Sequence, residues 1–470
     1  MSRHPLHQLL HPRSVAVVGA SASGRGGGFV RPLQELGFKG PIYPVNPKYE
    51  EVMGLKAYAR VSDIPAPVDY VISSIPASQV LGLVDDCVAR GVKCLHLFTA
   101  RFSETGRQEA AALEQEILRR ARAGGVRIIG PNCMGVYYPA AGLGFNEGMP
   151  AEPGRVGVAS QSGQAVGEIV GSAAARGVRF SKGISYGNAL DFNECDYLEY
   201  LTEDEETDII LLYIEGVRDG PRFLQVLRAA AAAKPVVVVK GGRGEAGTRA
   251  TASHTASLAG SRAVWDALVR QTGVVPARDL EEMVDIAVAF YRLPPLGGRR
   301  VGVVGGSGGS SVLAADICEE EGLNVVPLPD DIRQELRRQG NAIWDWINNP
   351  ADFSISMGDD SSANAVTRLM ARHPDFDVMI AYAGGPWRRG PEPFSLEDHF
   401  KRMGVEELAG KPTAIVFTER PRRRNADFPD YEQIVASIKE RLISMGFPVY
   451  PTVKRAAFAL SRVVSYYEKR

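Results

Sequence analysis

The chain carries almost no net charge, and it lacks both a signal-like leader and a long apolar run. Its 470 residues include 54 Lys and Arg against 55 Asp and Glu, a formal net charge of −1. A balanced charge creates no global field towards nucleic acid or an anionic membrane, so neither is expected as a partner. The polar, proline-broken residues before Ser14 are unlike a signal peptide, and no apolar run has the length of a bilayer-spanning helix. We therefore expect a cytoplasmic protein.

Cysteines are few, and their spacing fits neither zinc nor disulfides. Cys87, Cys94, Cys133, Cys195 and Cys318 are scattered and form no CxxC pair. This argues against a zinc site and against a disulfide framework. The odd number also fits a reducing compartment. We predict no metal site in the chain.

Alternating strand and helix patterns indicate the fold class. Apolar runs of strand length alternate with helical segments throughout, which is typical of α/β folds with doubly wound parallel sheets. A chain of this length is too long for one hydrophobic core and suggests about three domains. Pro- and Gly-rich links at Met149–Gly154 and Pro294–Gly298 separate them. We expect domains over residues 1–148, 154–294 and 298–470.

A glycine-rich loop follows the first predicted strand, within Val17–Gly28. Glycines allow a tight turn and let the next helix point its first amides at a phosphate. The candidate ligand residues of this loop are Gly19, Ser21, Ser23, Gly24 and Gly26. The second strand ends in Asn46 and Pro47, where an NAD-binding domain would have an acidic residue for the ribose. The loop therefore favours a phosphate-bearing nucleotide other than NAD, although a plain turn is the alternative.

Two further segments end strands of the same region. Ser74, Ile75 and Pro76 lie at the end of one predicted strand, 70–76, and Asn132 and Cys133 lie near the end of another, 126–135. Ligands of open parallel sheets bind outside the carboxyl ends of the strands, so both segments are in position to line one crevice. Proline and small residues also terminate strands, and this simpler interpretation stays open.

A Ser-Gln-Ser-Gly segment, Ser160, Gln161, Ser162 and Gly163, follows the first strand of the second region and begins a helix. Hydroxyl groups and unpaired amides at a helix start favour an anion. The alternative is an ordinary N-cap serine. We predict an anion site at this helix start.

One histidine has a setting that suggests covalent chemistry. His254 lies in a stretch of small residues that follows the apolar strand Val236–Lys240, and the preceding predicted strand ends at Glu215. Strands joined by one helix are commonly neighbours in the sheet, so Glu215 and His254 are expected at the same edge. A carboxylate that binds one ring nitrogen leaves the other free as a nucleophile. The alternatives are a solvated glutamate and an ordinary loop histidine.

The ordered set of motifs resembles a known family. VVGAS with its glycine loop, YPVNP, GPNCMG, SQSG, SYGNALDFNECDYLEYL, YIEGVRD and ASHTASLAGS occur in this order and cover nearly the whole chain. Together they resemble the alpha subunit of the ADP-forming acyl-CoA synthetases, in the succinyl-CoA synthetase superfamily. The resemblance implies a Rossmann-like domain that binds coenzyme A, followed by two flavodoxin-like domains. It implies a phosphoryl group on His254, support from Glu215, and phosphate at the SQSG segment.

The implied function is reversible acid–CoA ligation. Acyl-CoA, ADP and phosphate would be interconverted with carboxylic acid, coenzyme A and ATP, through an acyl phosphate and a phosphohistidine. The sequence contains no recognisable ATP-grasp domain, so the resemblance implies a separate ATP-grasp beta subunit that binds ATP or ADP with Mg²⁺, in a heterotetramer. The substrate would be a small carboxylic acid.

The sequence departs from the family pattern in three places. Ala256 replaces a glycine beside His254, the loop that opens the third region is altered (Val303–Ser311), and Asn349–Phe353 differs from the usual NPVDL-like segment. The altered glycine loop keeps open an inactive protein that binds coenzyme A or acyl-CoA. A nicotinamide-dependent oxidoreductase is a third alternative, opposed by the missing acidic residue of the second strand.

Overall fold

Mostly parallel sheets form the framework of the described chain. A computed structural model describes residues 4–21, 28–244, 246–247, 261–356, 360–384, 394–408, 410–418 and 430–470. The chain divides into two units, Met1–Met283 and Val284–Arg470. Two large sheets and a two-stranded hairpin lie in the first unit, and one large sheet lies in the second. The predicted α/β class with doubly wound parallel sheets is confirmed.

The first sheet has the strand order β2-β1-β5-β6-β7, and all its pairs are parallel. Its strands are β1 (Val15–Val18), β2 (Ile42–Val45), β5 (Tyr70–Ser73), β6 (Cys94–Leu97) and β7 (Arg127–Ile129), with a separate hairpin of β3 (Glu51–Val52) and β4 (Leu55–Lys56). Its helices are α1 (Pro5–Leu9), α2 (Val30–Glu35), α3 (Val80–Ala89) and α4 (Gln108–Ala123). Strands β1, β5 and β6 are buried along their whole length, as expected for strands covered by helices on both faces.

The second sheet has the order β13-β12-β11-β9-β10-β8. Its strands are β8 (Gly135–Tyr137), β9 (Pro153–Ser160), β10 (Phe180–Ser185), β11 (Ile209–Ile214), β12 (Val236–Lys240) and β13 (Val275–Ala277). Its helices are α5 (Gly163–Ala174), α6 (Glu194–Glu203), α7 (Gly220–Ala233) and α8 (Arg262–Thr272). Strand β8 pairs antiparallel with β10, whereas the other pairs are parallel.

One predicted strand is shorter than expected. The sequence predicts a strand from Val126 to Gly135, but β7 ends at Ile129 and β8 begins only at Gly135. Pro131 has no amide hydrogen to donate, and Asn132 adopts a φ of 58°, so neither continues an extended ladder. The chain therefore leaves the first sheet at this turn and enters the second sheet as an edge strand.

The third sheet has the order β15-β14-β16-β17-β18, with parallel pairs. Its strands are β14 (Val301–Gly306), β15 (Ala351–Asp352), β16 (Val378–Ala383), β17 (Thr413–Phe417) and β18 (Val449–Tyr450). The helices from the unit boundary onwards are α9 (Leu280–Arg292), α10 (Gly308–Glu320), α11 (Asp330–Arg338), α12 (Asp360–Arg372), α13 (Leu396–Met403), α14 (Tyr431–Ser444) and α15 (Val453–Tyr467). Among the described residues, no helix has the length and apolar character to cross a membrane.

Candidate active site

The carboxyl edge of the second sheet brings three predicted segments together. Strand β11 lies between β9 and β12, with Tyr213 opposite Ser160 and Ile214 opposite Lys240. The SQSG segment that follows β9, Glu215 after β11 and the glycines after β12 therefore leave the sheet side by side. This confirms the expectation that the strands before Glu215 and before the His254 segment are neighbours.

The SQSG segment forms a capped helix start. The buried Ser160 donates its hydroxyl hydrogen to the carbonyl oxygen of Ser162 at 2.8 Å and accepts a hydrogen bond from the amide of Ser162 at 3.1 Å. The hydroxyl of Ser162 accepts a hydrogen bond from the amide of Ala165 at 3.3 Å and so caps α5. The amides of the first helical turn, beginning at Gly163, have no partner inside the helix and give this end a partial positive charge.

Gln161 reaches from the SQSG segment to the end of β11. Its side chain is buried, and its carboxamide oxygen accepts hydrogen bonds from the backbone amides of Glu215 and, at 2.9 Å, of Gly216. These contacts tie the end of β11 to the segment after β9. The contacts position Glu215 through the carboxamide oxygen of Gln161, and a phosphate-binding role for Gln161 stays a prediction.

Glu215 is buried, with only 6% of its surface exposed. The hydroxyl of Tyr213 donates a hydrogen bond to Oε1 of Glu215 at 3.3 Å. Burial and the neighbouring Glu215 raise the pKa of Tyr213 to about 12, so its proton stays in place at neutral pH. A side chain at Gly241 would place its Cβ 2.9 Å from the Tyr213 hydroxyl and 3.3 Å from Cγ of Glu215, so this close approach requires glycine.

Lys240 is a residue of this edge that the sequence analysis missed. It is the last residue of β12, it is 7% exposed, and its ammonium group donates to the carbonyl oxygens of Glu215, at 2.6 Å, and of Gly241. A charged residue at the end of a run of four valines is the signal that points to it, because lysine is rarely buried without a partner.

A cavity of about 490 Å³ opens at the same edge. Its described lining includes the start of α5, the end of β12 and the start of α9, among them Ser162, Gln164, Tyr213, Lys240, Gly241, Arg243 and Arg278. The lining also includes two acidic residues, Glu168 and Asp279, beside three basic ones, Lys240, Arg243 and Arg278. The helix amino end and the excess of basic side chains suit an anion. His254 lies outside the described residues, which stop at Gly247 on one side and resume at Ser261 on the other.

The carboxyl edge of the first sheet holds the second group of predicted residues. Gly19 has a φ of +89°, and its amide donates to the carbonyl oxygen of Val45 at 2.9 Å. A Cβ there would lie 2.7 Å from Oγ of Ser74, which itself donates to the carbonyl oxygen of Val18 at 3.1 Å. The backbone turns that leave β1 and β5 are therefore packed against each other.

Asn46 closes this turn from the other side. Its side-chain amide donates to the carbonyl oxygen of Ala20 at 2.7 Å, and its Oδ1 accepts from the amide of Lys48 at 3.1 Å. Ser21 contacts Tyr49 through their hydroxyl groups at 3.3 Å. Further predicted residues near these turns are exposed or half-buried at the ends of β2 and β5, namely Pro47, Ser74, Ile75 and Pro76. Three predicted residues lie outside the described residues, namely Ser23, Gly24 and Gly26.

Asn132 and Cys133 differ in how far their side chains are exposed to solvent. The half-buried Asn132 donates from its side chain to Oδ1 of Asn188 at 3.4 Å. Cys133 is 3% exposed, its sulfur lies 3.9 Å from the carbonyl oxygen of Leu97, and burial raises its pKa to about 12. Its thiol is therefore protonated and points into the protein, whereas the amide of Asn132 is nearer to solvent.

Two family models match the chain at these sheets. A CoA binding domain matches residues 13–139, and a succinyl-CoA ligase like flavodoxin domain matches residues 153–290. Gly19 allows the turns after β1 and β5 to approach each other closely, and the hydroxyls of Ser21 and Tyr49 and the side-chain amide of Asn46 lie at the same edge. These features fit the phosphate-bearing nucleotide end of coenzyme A, because close backbone approach is what such a group requires.

Full-length relatives carry names of ligases. The chain is 36% identical over 461 residues to the alpha subunit of ADP-forming acetate–CoA ligase II of Pyrococcus furiosus, covering 97% of both chains. It is 31% identical to the ADP-forming 4-hydroxybutyrate–CoA ligase of Nitrosopumilus maritimus, covering 79% of this chain and 54% of that longer protein.

A solved structure matches over nearly the whole length. The dinucleotide-forming acetyl-coenzyme A synthetase 1 of Ca. Korarchaeum cryptofilum, in complex with phosphate and ADP, is 32% identical with a TM-score of 0.81, covering 98% of this chain and 97% of that one. None of these relatives favours the oxidoreductase or the inactive alternative. The chain belongs to the family of ADP-forming acyl-CoA synthetases, which are acid–thiol ligases, and corresponds to their alpha subunit.

Proposed function

We propose that the chain carries the phosphoryl group of this ligase reaction on His254. Phosphate attacks the thioester carbonyl of acyl-CoA, the thiolate leaves, and an acyl phosphate forms. A ring nitrogen of His254 then attacks the phosphorus, and the carboxylate of the acid leaves. ADP finally takes the phosphoryl group from the histidine, which returns to its neutral form. Each covalent step divides one difficult transfer into two easier ones.

The buried carboxylate of Glu215 is the observation that carries this proposal. Tyr213 donates a hydrogen bond to this carboxylate, and Gln161 accepts one from the backbone amide of Glu215, beside the point where the chain leaves β12 towards His254. A carboxylate held in this way would bind one ring nitrogen, direct the other towards phosphorus, and stabilise the cationic phosphorylated ring. The start of α5, at Ser162 and Gly163, would stabilise the phosphoryl oxygens.

The first sheet would hold the coenzyme A part of the substrate. Gly19, Ser21, Asn46 and the Ser74–Pro76 segment line its carboxyl edge, and Ser23, Gly24, Gly26, Pro47, Asn132 and Cys133 are proposed with them. Coenzyme A supplies the thiol of the thioester. We also propose three domains, over residues 1–148, 154–294 and 298–470. The residues matched by the two family models support the first two.

The nucleotide would bind to a partner chain. The relatives named alpha subunits imply a second subunit, and we propose an ATP-grasp beta subunit that holds ADP or ATP with Mg²⁺, in an α₂β₂ assembly. The acid would be a small carboxylic acid, since relatives are named for acetate and for 4-hydroxybutyrate. The cytoplasm stays the expected compartment, in keeping with the five free cysteines.

Reconstitution with an ATP-grasp subunit tests the proposal. The pair is assayed for ATP formation from ADP, phosphate and a panel of acyl-CoA esters, which also identifies the acid. We expect His254→Ala to abolish turnover. Glu215→Gln keeps the size of the side chain but removes its charge, and we expect it to lower kcat by at least about 100-fold, as does the loss of a single electrostatic catalytic group. Turnover by His254→Ala at the wild-type rate would exclude the proposal.

A further inference from the structure

Lys240 places a cation inside the protein at the edge where the reaction is proposed. The side chain is more than nine-tenths buried. Burial of an ammonium group away from water is costly unless hydrogen bonds or opposite charge compensate for it. A lysine at this position of β12 therefore calls for a physical reason.

The ammonium group bonds to the backbone on both sides of the candidate site. It donates to the carbonyl oxygen of Glu215 at 2.6 Å and to that of Gly241. The amide of Gly241 in turn donates to the carbonyl oxygen of Ile214 at 2.8 Å. Lys240 thus joins the residue after β11 to the first residue of the segment that leads to His254.

Glu215 is consequently held from several directions. Gln161 accepts from its amide, Tyr213 donates to its carboxylate, and Lys240 donates to its carbonyl oxygen. Of these three, Lys240 alone brings a positive charge. It also lines the cavity at this edge, together with Ser162 at the start of α5.

The electrostatic surroundings of Lys240 are mixed. Burial lowers its pKa, Glu215 raises it, and Arg243 lowers it again. The hydroxyl of Tyr213, which lines the same cavity, stays protonated and adds no charge. Glu215 is the anionic group that raises the pKa of Lys240, and a phosphoryl group that entered the cavity would add further negative charge.

We propose that Lys240 is a positioning residue for phosphoryl transfer through His254, and that its buried charge offsets the negative charge that arrives with the phosphoryl group. It fixes the backbone of Glu215 and Gly241 relative to each other, so that the carboxylate and the histidine-bearing segment start from a set geometry. This inference rests on the proposed function of His254. Because Lys240 binds no reacting atom, its substitution changes the rate of transfer and leaves coenzyme A recognition intact.

Lys234 offers a matched control at the opposite end of the same strand. Its ammonium group also donates to two backbone carbonyl oxygens, those of Leu201 at 2.9 Å and Asp204 at 2.6 Å, and burial also lowers its pKa. It lies at the amino end of β12, away from the cavity. A purely structural role would let substitutions at the two lysines change stability but leave the rate of phosphoryl transfer in the folded complex unchanged.

The experiment compares Lys240→Gln, Lys240→Arg and Lys234→Gln in the complex with the ATP-grasp subunit. Glutamine keeps a donor without charge, whereas arginine keeps both. The rate measured is that of phosphate labelling of the chain. We expect Lys240→Gln to lower this rate by at least about tenfold and to leave the KM for acyl-CoA unchanged. Lys240→Arg should recover most of the rate, and Lys234→Gln should match the wild type.

Two results would overturn the inference. One is that Lys240→Gln is labelled with phosphate as fast as Lys234→Gln. The other is that Lys240→Arg is labelled as slowly as Lys240→Gln, because the charge at this position would then not matter for the rate. If Lys240→Gln does not fold, Lys240→Arg is compared with the wild type: a similar labelling rate supports the inference, and a rate at least about tenfold lower overturns it. His254→Ala, run in parallel, tests the proposed function separately, because labelling that survives in it excludes the histidine whatever Lys240 does.

Discussion

Replacement of Gln161 by leucine separates a positioning role from a phosphate-binding role. Leucine has a similar size but no acceptor, so the backbone amides of Glu215 and Gly216 would lose their partner inside the protein. A phosphate ligand would affect mainly the KM for phosphate. A positioning residue would affect the stability of the fold and the rate of transfer.

The expected magnitude follows from the two amides. A buried donor left without its partner costs about 1–3 kcal/mol, so the pair costs about 2–6 kcal/mol. Water that enters from the adjacent cavity would replace part of this loss, and we expect a net destabilisation of about 3 kcal/mol. At about 2–4 °C per kcal/mol for a large domain, Tm would fall by about 6–12 °C.

Thermal unfolding and steady-state kinetics measure both effects. Gln225→Leu, on the exposed side of α7, is the control, and we expect its stability to change by less than about 0.5 kcal/mol. Gln161→Glu keeps an acceptor and should retain more stability than Gln161→Leu. An unchanged Tm for Gln161→Leu together with a raised KM for phosphate would refute the positioning role and favour phosphate binding by Gln161.

Two further predictions concern the first unit. Gly19 has a φ of +89°, and a Cβ there would lie 2.7 Å from Ser74, so Gly19→Ala should destabilise the protein by about 2–4 kcal/mol and weaken coenzyme A binding. Gly82→Ala is the control: its Cβ would meet nothing within 4 Å on α3, and it should stabilise the protein by about 0.5–1 kcal/mol. Calorimetry with and without coenzyme A checks both variants. Burial would raise the pKa of Asp191, but hydrogen bonds from Arg127, the Ile128 amide and Arg122 outweigh it and hold the pKa below 3.8. A carboxyl group whose pKa is lowered in the folded protein stabilises the fold at pH values above its ordinary pKa, so Asp191→Asn should lower the free energy of unfolding by about 2 kcal/mol at pH 7. The difference between the variant and the wild type should shrink as the pH falls below 3.8. A constant difference down to pH about 2 would contradict the stabilising ion pair.

The sequence predicted the long strands and the neighbours of the site well. Val236–Lys240 is observed with the predicted bounds, and the valine run indicates a buried parallel strand because it has no polar alternation. The adjacency of Glu215 to β12 followed from the short connection through one helix. Short strands were missed, such as β8 and β15, since two or three residues show no periodicity.

The contacts between side chains and the backbone could not be predicted from the sequence. Gln161 reaches across to the end of β11, and Lys240 bonds to the carbonyl oxygen of Glu215 on the neighbouring strand. Such contacts depend on the register between strands and on the direction of each side chain, which a one-dimensional pattern does not contain. The interior position of the Cys133 thiol has the same origin, because it follows from the turn at Pro131 and Asn132.

The most direct measurement of the central claim uses the chain without its partner. It is incubated with acyl-CoA and radiolabelled inorganic phosphate, with ADP and ATP absent, and the labelled residue is mapped by peptide mass spectrometry. The account predicts label on His254 that is acid-labile and base-stable, as a phosphorus–nitrogen bond requires, and that disappears when acyl-CoA is omitted. Label on another residue, or label that persists in His254→Ala, would contradict it.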